Sequence, residues 1–194
     1  PADVREVQAA VRAGDLCWQQ FPYYEHRYGE RGRRFSRSDA AWLATLYKYP
    51  PAQILQQVRW LGRVLANRGM PTLLLQVQLE ILVEELAAAI SGKKSDYEML
   101  LPAASELRAA RYKHLTDEQI EAMASEFDSA VGAQWSARFP HNGLLLGAAV
   151  ADELEGIEGA VDSLRVWLTD AARFPAIWIA AVEATLEQAR KQAR

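Results

Sequence analysis

Apolar residues recur along this chain at helical intervals. Val4, Val7 and Val11, with Trp18 further on, mark one side of a helix over residues 2–20, weakened near its middle by Gly14. Pro22 opens the next helix, since a first turn has no use for the missing N–H, and that helix stops at Gly29 or Gly32. Ser36-Arg37-Ser38-Asp39 reads as a fresh start with Ser36 as N-cap, carrying Trp42, Leu43 and Leu46 toward a core. Pro50-Pro51 ends that helix and begins another, in which Ile54, Val58, Leu61 and Leu65 step by four, three and four, the spacing of one helix face. Gly69 closes it. Pro71 starts a long apolar helix, Leu73 through Ile90, closed by Gly92; apolar side chains cover most of its circumference, which predicts the central, most buried helix. Residues 97–112 are amphipathic. Thr116-Asp117-Glu118-Gln119 is a capping-box pattern for a helix to about Val131, before Gly132. Asn142-Gly143 marks a turn, and helices over about 144–158, 160–169 and 175–192 complete the chain.

No run alternates β-branched and polar residues between turns. Ala, Leu, Glu, Gln and Arg, all good helix formers, dominate. The pattern predicts an all-α fold, a compact bundle of about eight or nine helices forming one domain over residues 1–194. Residues 34–92 find an echo in 138–194. Arg34-Phe35 recurs as Arg138-Phe139, Ile54, Val58, Leu61 and Leu65 as Ile157, Val161, Leu164 and Leu168, and Met70-Pro71 as Phe174-Pro175. A duplicated helical unit would hold a ligand groove between its halves. Any two amphipathic helices followed by a Pro-initiated helix align this well, however, and the register slips by one residue, short of fixed-period self-similarity.

Composition narrows the class. With 50% hydrophobic and 24% charged residues the chain has ample material for a core and reads as globular. A net charge of -3 supplies no global attraction to nucleic acid or an anionic membrane, so neither is an expected partner. Cys17 is the single cysteine, which rules out an internal disulfide; beside Trp18 it reads as a small packing residue. No signal-peptide pattern opens the chain, and the apolar stretches Leu73 to Leu86 and Leu144 to Val150 are too short or too interrupted to span a bilayer. A cytoplasmic location is expected, with Pro1 left by removal of an initiator Met.

Catalytic constellations are missing. The histidines are His26, His114 and His141, with no H-E-x-x-H and no Glu-x-x-His pair, and clustered zinc ligands are lacking. No cofactor is expected, although haem or another tetrapyrrole stays open because one axial imidazole suffices. Gly92-Lys93-Lys94-Ser95 resembles the end of a phosphate-binding loop, but Ala87 replaces the required earlier Gly and a helix precedes it; it reads as a solvated helix end. Nucleophile elbows are absent. Glu80, Glu84, Glu85, Asp152, Glu153 and Glu155 fall where an exposed polar helix face would put them. The tryptophans Trp42, Trp60, Trp135, Trp167 and Trp178 fit either an aromatic ligand pocket or, more simply, core packing.

The richest stretch is Phe21 to Asp39. It interleaves Arg27, Arg31, Arg33, Arg34 and Arg37 with Tyr23, Tyr24, Tyr28 and Phe35, around His26. Guanidinium forks suit phosphates and carboxylates and stack on aromatic rings. If residues 22–31 are helical, Tyr24, Arg27, Tyr28 and Arg31 share one face. Tyr24, His26, Arg27, Tyr28, Arg31 and Arg34 are therefore the candidate binding residues for an anionic, nucleotide-like ligand. The simpler reading is structural: Tyr24 and Tyr28 pack inward while the arginines pair with Glu25, Glu30, Asp39 or acidic residues on other helices.

Residues 38–86 carry a resemblance. The run from Ser38-Asp39-Ala40-Ala41-Trp42-Leu43, through Gln57-Val58-Arg59-Trp60-Leu61-Gly62 and the Gly69-Met70-Pro71 turn, to the apolar helix from Leu73 resembles the middle helices of bacterial sensor globins. The position of that family's proximal His is occupied by Leu65 or a close neighbour, and no His lies between residues 27 and 113. The resemblance implies a haem-free regulatory member that relays signals through helix packing. The expected function is thus a non-catalytic cytoplasmic regulatory, sensor or protein-interaction domain, with a protein or a small anionic or hydrophobic ligand as partner. A homodimer closed by an apolar helix such as 175–192 stays open. The alternative is a ligand-binding protein or enzyme whose inter-helix pocket fixes an anionic or aromatic ligand through Arg and Tyr.

Overall fold

A computed structural model describes residues 3–193. Pro1, Ala2 and Arg194 lie outside the described residues, and with them the first residue of the expected opening helix, the reading of Pro1 and the last residue of the sequence echo. The described chain is all-α and contains no strand. Its helices are α1 (Val4–Gln20), α2 (Tyr23–Leu43), α3 (Pro51–Ala66), α4 (Thr72–Ala89), α5 (Lys94–Glu98), α6 (Leu101–Tyr112), α7 (Asp117–Val131), α8 (Ala133–Arg138), α9 (Asn142–Leu154), α10 (Ala160–Leu168) and α11 (Ala176–Gln192), with 3-10 turns at Leu46–Lys48 and Ser91–Lys93. The short helices α5 and α8 carry the number past eight or nine. Two compact units result, Pro1–Trp60 with Leu74–Leu107, and Leu61–Leu73 with Arg108–Arg194.

In the first unit α1 lies along α2. The valine stripe does not make this contact: Val4 is 65% and Val7 36% exposed. Ala9, Ala10, Ala13, Gly14, Cys17 and Trp18 form the buried face instead. Small residues let the helices close up, so that a Cβ on Gly14 would sit 3.6 Å from Ser36 Oγ and 3.9 Å from Ala40 Cβ. Ser36 is therefore an interior, packed residue of α2 and caps nothing. Burial pushes the Cys17 thiol up to about 12.

Glu6, in the first turn of α1, is buried. Its Oε1 accepts from Tyr47 Oη at 2.9 Å, Tyr97 Oη at 2.9 Å and Lys93 Nζ at 3.1 Å. One carboxylate thus gathers α1, both 3-10 turns and α5, and Lys93 closes this network where a solvated helix end was expected. Desolvation pushes the Glu6 carboxyl up, but the bonds from Tyr97, Tyr47 and Lys93 outweigh it and leave the group below its ordinary value.

In the second unit α9 packs against α7, α10 and α11. Ten of its 13 residues are buried, so α9 rather than α4 is the most enclosed helix; α4 keeps Glu84 and Ala88 exposed. Gly143 belongs to its first turn and makes no loop. A Cβ there would lie 2.5 Å from Ala124 Cα, and one on Gly147 3.1 Å from Ile120. α7 begins as expected, with Thr116 Oγ1 accepting from the Gln119 amide and Gln119 Oε1 from that of Thr116. Beside these helices Trp178, fully buried, stacks on Phe174 at 4.9 Å, meets Phe127 edge-on at 5.0 Å and donates its indole N–H to Leu168 O. Trp135 and Trp167 join the same aromatic cluster, 5.7 Å from Trp178 and 5.1 Å from Phe174 respectively. Trp42 and Trp60 form a separate edge-on pair in the first unit.

Asp152 breaks the expectation of an exposed acidic face. It is buried, and its carboxylate accepts from the backbone N–H and the hydroxyl of Thr72, the first residue of α4. Burial drives its carboxyl up to about 6, while the Thr72 bonds and the Arg111 charge pull the other way. The sequence echo does not extend to environment: Phe35 is 58% exposed in the middle of α2, whereas Phe139 is 3% exposed at the end of α8.

These carboxylates predict two measurements. Asp152→Ala strands two donors and should cost about 1–3 kcal/mol in urea denaturation. The pH responses have opposite signs. Native Asp152 holds its proton more tightly than the unfolded chain, so wild-type stability relative to Asp152→Asn falls as pH rises from the ordinary 3.8 to about 6, and is flat above. Native Glu6 holds its proton less tightly, so wild-type stability relative to Glu6→Gln is present above the ordinary 4.5 and falls as the solution is acidified below it.

Candidate functional site

The Arg/Tyr stretch forms the first two-thirds of α2. Tyr23 and Tyr24 enter its first turn and are buried. Trp18 of α1 stacks on Tyr24 at 5.3 Å, and Tyr28 meets the Tyr23 ring edge-on at 6.0 Å. At Gly29 the backbone turns to φ 54 and ψ -153, a region open to glycine, and the helix resumes in a new direction. Gly32 follows for a different reason. A Cβ there would lie 2.3 Å from Tyr28 Cβ and 3.3 Å from the Trp18 ring.

The kink divides the expected binding face. Tyr24 and Tyr28 go to the aromatic packing before it, and Arg31 falls after it. Arg27 lies on that packing: its Nη1 donates to Tyr23 Oη, and its guanidinium stands 5.1 Å from the Tyr28 ring centre. Burial pushes the phenols of Tyr23, Tyr24 and Tyr28 up, so none ionises near neutrality. Tyr24, Arg27 and Tyr28 are thus brought together, but as a packed cluster. His26 is exposed on the same turn.

The remaining arginines sort into two sets. Arg33 binds Glu25 at 2.6 Å, stands 3.7 Å from Asp15 and lies over the Trp18 ring at 5.3 Å. Arg37 grips both oxygens of Asp15, at 3.1 and 3.2 Å. Asp15 and Trp18, three apart on α1, are the partners that reading the Arg-rich stretch alone passes over; their i, i+3 spacing on the helix before it was the available signal. Arg31 and Arg34 form the second set. Both are exposed, neither has an ion pair among the described residues, and Arg31 lies 5.8 Å over the ring of the exposed Phe35.

Among the described residues no three His, Cys, Asp or Glu side chains group as metal ligands, and no helix is long and apolar enough to cross a membrane. No family model, curated protein or solved structure matches the chain.

Gly32→Ala should destabilise the first unit by about 1–3 kcal/mol, because Tyr28 must give way. Arg31→Ala and Arg34→Ala should each stay within about 0.5 kcal/mol of wild type. Guanidinium denaturation separates the two classes.

Proposed function

We propose that this chain is a non-catalytic regulatory domain of the cytoplasm that docks an acidic protein segment through the Arg31–Arg34–Phe35 edge of α2. One observation carries the reading. Of five arginines in the stretch, Arg27, Arg33 and Arg37 are engaged internally, while Arg31, over the exposed Phe35 ring, and the exposed Arg34 three residues on keep their forks unneutralised. Arg and aromatic side chains are the residues that most often anchor protein interfaces. A partner segment that sets carboxylates on the two guanidinium groups and an apolar side chain on Phe35 would satisfy all three. The resemblance to haem-free sensor globins fits the same reading, since in those proteins signals travel through helix packing. A buried, unpaired Cys17 suits a reducing compartment. The alternative of an inter-helix pocket built from Arg and Tyr is less well supported, because Tyr24, Arg27 and Tyr28 are occupied with one another.

Fluorescence anisotropy tests this with two short labelled peptides, one bearing Leu between Asp and Glu residues and one with Lys in place of each acid. The acidic peptide should bind, more weakly as salt rises. Arg31→Glu/Arg34→Glu should weaken it at least about tenfold at unchanged melting temperature. Equal binding of the Lys peptide, or an acidic peptide that does not bind or is indifferent to the double substitution, defeats the proposal.

A further inference from the structure

After the Gly29 kink α2 has two contrasting sides. One is closed by α1: Ser36 and Ala40 face Gly14, and Arg33 and Arg37 reach Asp15. On the other, Arg31, Phe35, Ser38 and Trp42 follow one another at steps of four, three and four, which aligns them in one stripe. Arg31, Phe35 and Ser38 are exposed and Trp42 is half-buried. Trp42 meets Trp60 of α3 edge-on at 6.3 Å, and Trp60 is itself 57% exposed. The apolar surface therefore runs on past the Arg31–Arg34 edge, through two further rings. Single apolar side chains are ordinary at a surface, whereas a row of large ones rimmed by polar residues marks a contact site.

Two properties of the stripe define what fits it. The first is charge. Arg31 and Arg34 are exposed and form no ion pair among the described residues, not even with Glu30 on their flank. Asp39, beside Phe35, is half-buried and engaged within the protein, and Arg59, next to Trp60, is spent on Glu106. The free charge on the stripe is thus positive and lies at its Phe35 end. The second property is spacing. Phe35 and Trp42 are two turns apart, about 10 Å along the axis. A partner helix laid alongside repeats its own anchors at that distance, as helices seated on apolar surfaces do. An extended segment covers it in about three residues, an odd step that turns the second side chain away. Between the two rings comes the small Ser38, over which a partner side chain can enter as a knob between larger neighbours.

We propose that this stripe seats an acidic amphipathic helix of a partner protein, with its apolar anchors on Phe35, Trp42 and Trp60 and its carboxylates on Arg31 and Arg34. The inference rests on the acidic-segment reading above and deepens it, since it gives the segment a conformation and extends its footprint to the tryptophans.

The test uses the full chain and labelled peptides about 18 residues long, five helical turns. One carries Leu at positions i, i+4 and i+7 with Asp and Glu at one end. A second keeps the acidic end but shuffles the rest, so that no stripe remains. By anisotropy the striped peptide should bind at least about tenfold more tightly than the shuffled one. Trp60→Ala, a change at an exposed ring, should abolish that advantage without altering binding of the shuffled peptide. Two readouts in wild type need no variant: the striped peptide gains helical circular dichroism on binding, and the protein's tryptophan emission moves to shorter wavelength. If both peptides bind equally and both are lost with Arg31→Glu/Arg34→Glu, the acidic-segment reading stands and the helical seat falls. If neither binds, both fall. Equal binding of a striped peptide with Lys in place of each acid overturns the charge match. A dimer of the free protein that Trp60→Ala dissociates, or Trp60-dependent retention on phosphatidylserine vesicles, overturns the proposed occupant.

Discussion

Where Gly143 faces Ala124 two helices come nearly to backbone contact, and small residues keep other pairs close, with Gly147 against the Ile120 side chain and Gly14 against Ser36 and Ala40. The rest of each unit is arranged around that constraint. Helices at such range have no room between them for large side chains, so the bulk must go to the flanks. In the second unit it gathers as the ring cluster around Trp178. In the first unit the rings of Trp18, Tyr23, Tyr24 and Tyr28 collect at the end of the α1–α2 contact, where Gly29 bends α2 and Gly32 leaves room for Tyr28. The arginines are sorted by the same geometry. Those on the α1 side meet Asp15 and Trp18, and those turned away are left to solvent.

Buried carboxylates complete what the small residues begin. Glu6 and Asp152 each serve groups that helix geometry leaves wanting a partner: two tyrosine hydroxyls and a lysine in one case, the opening N–H and hydroxyl of α4 in the other. Their chemistry differs because their donors differ. Three donors, one of them charged, hold Glu6 ionised in spite of burial. The two donors from a single threonine, with the Arg111 charge, do not outweigh burial at Asp152 and leave its carboxyl above the ordinary value, at about 6. Burial alone therefore does not set the direction in which an enclosed acid shifts; the number and charge of its donors decide it.

Signals that act over one turn were legible in the sequence. The Thr116–Gln119 cap, the Pro51 start, the Gly132 stop and the extent of α11 needed no knowledge of distant residues. The inward face of α1 was not legible, because Ala and Gly contribute little to an apolar pattern while the exposed valines dominate it. Ser36 looked like a cap because a serine before an acidic residue is one in isolation; the packing of α1 made it an interior residue. The site suffered most. Asp15 to Arg37 spans 22 positions and Thr72 to Asp152 spans 80, and no local pattern announces either pair.

Cys17 sits on the small-residue face of α1, sealed beneath α2, and the chain has no other thiol. Burial keeps the thiol protonated at neutral pH and withholds it from solution. Alkylating reagents can therefore reach it only when the first two helices part. The chain carries, without any engineering, a single-site clock for that opening: the rate at which an iodoacetamide or maleimide is incorporated measures how often α1 lifts from α2.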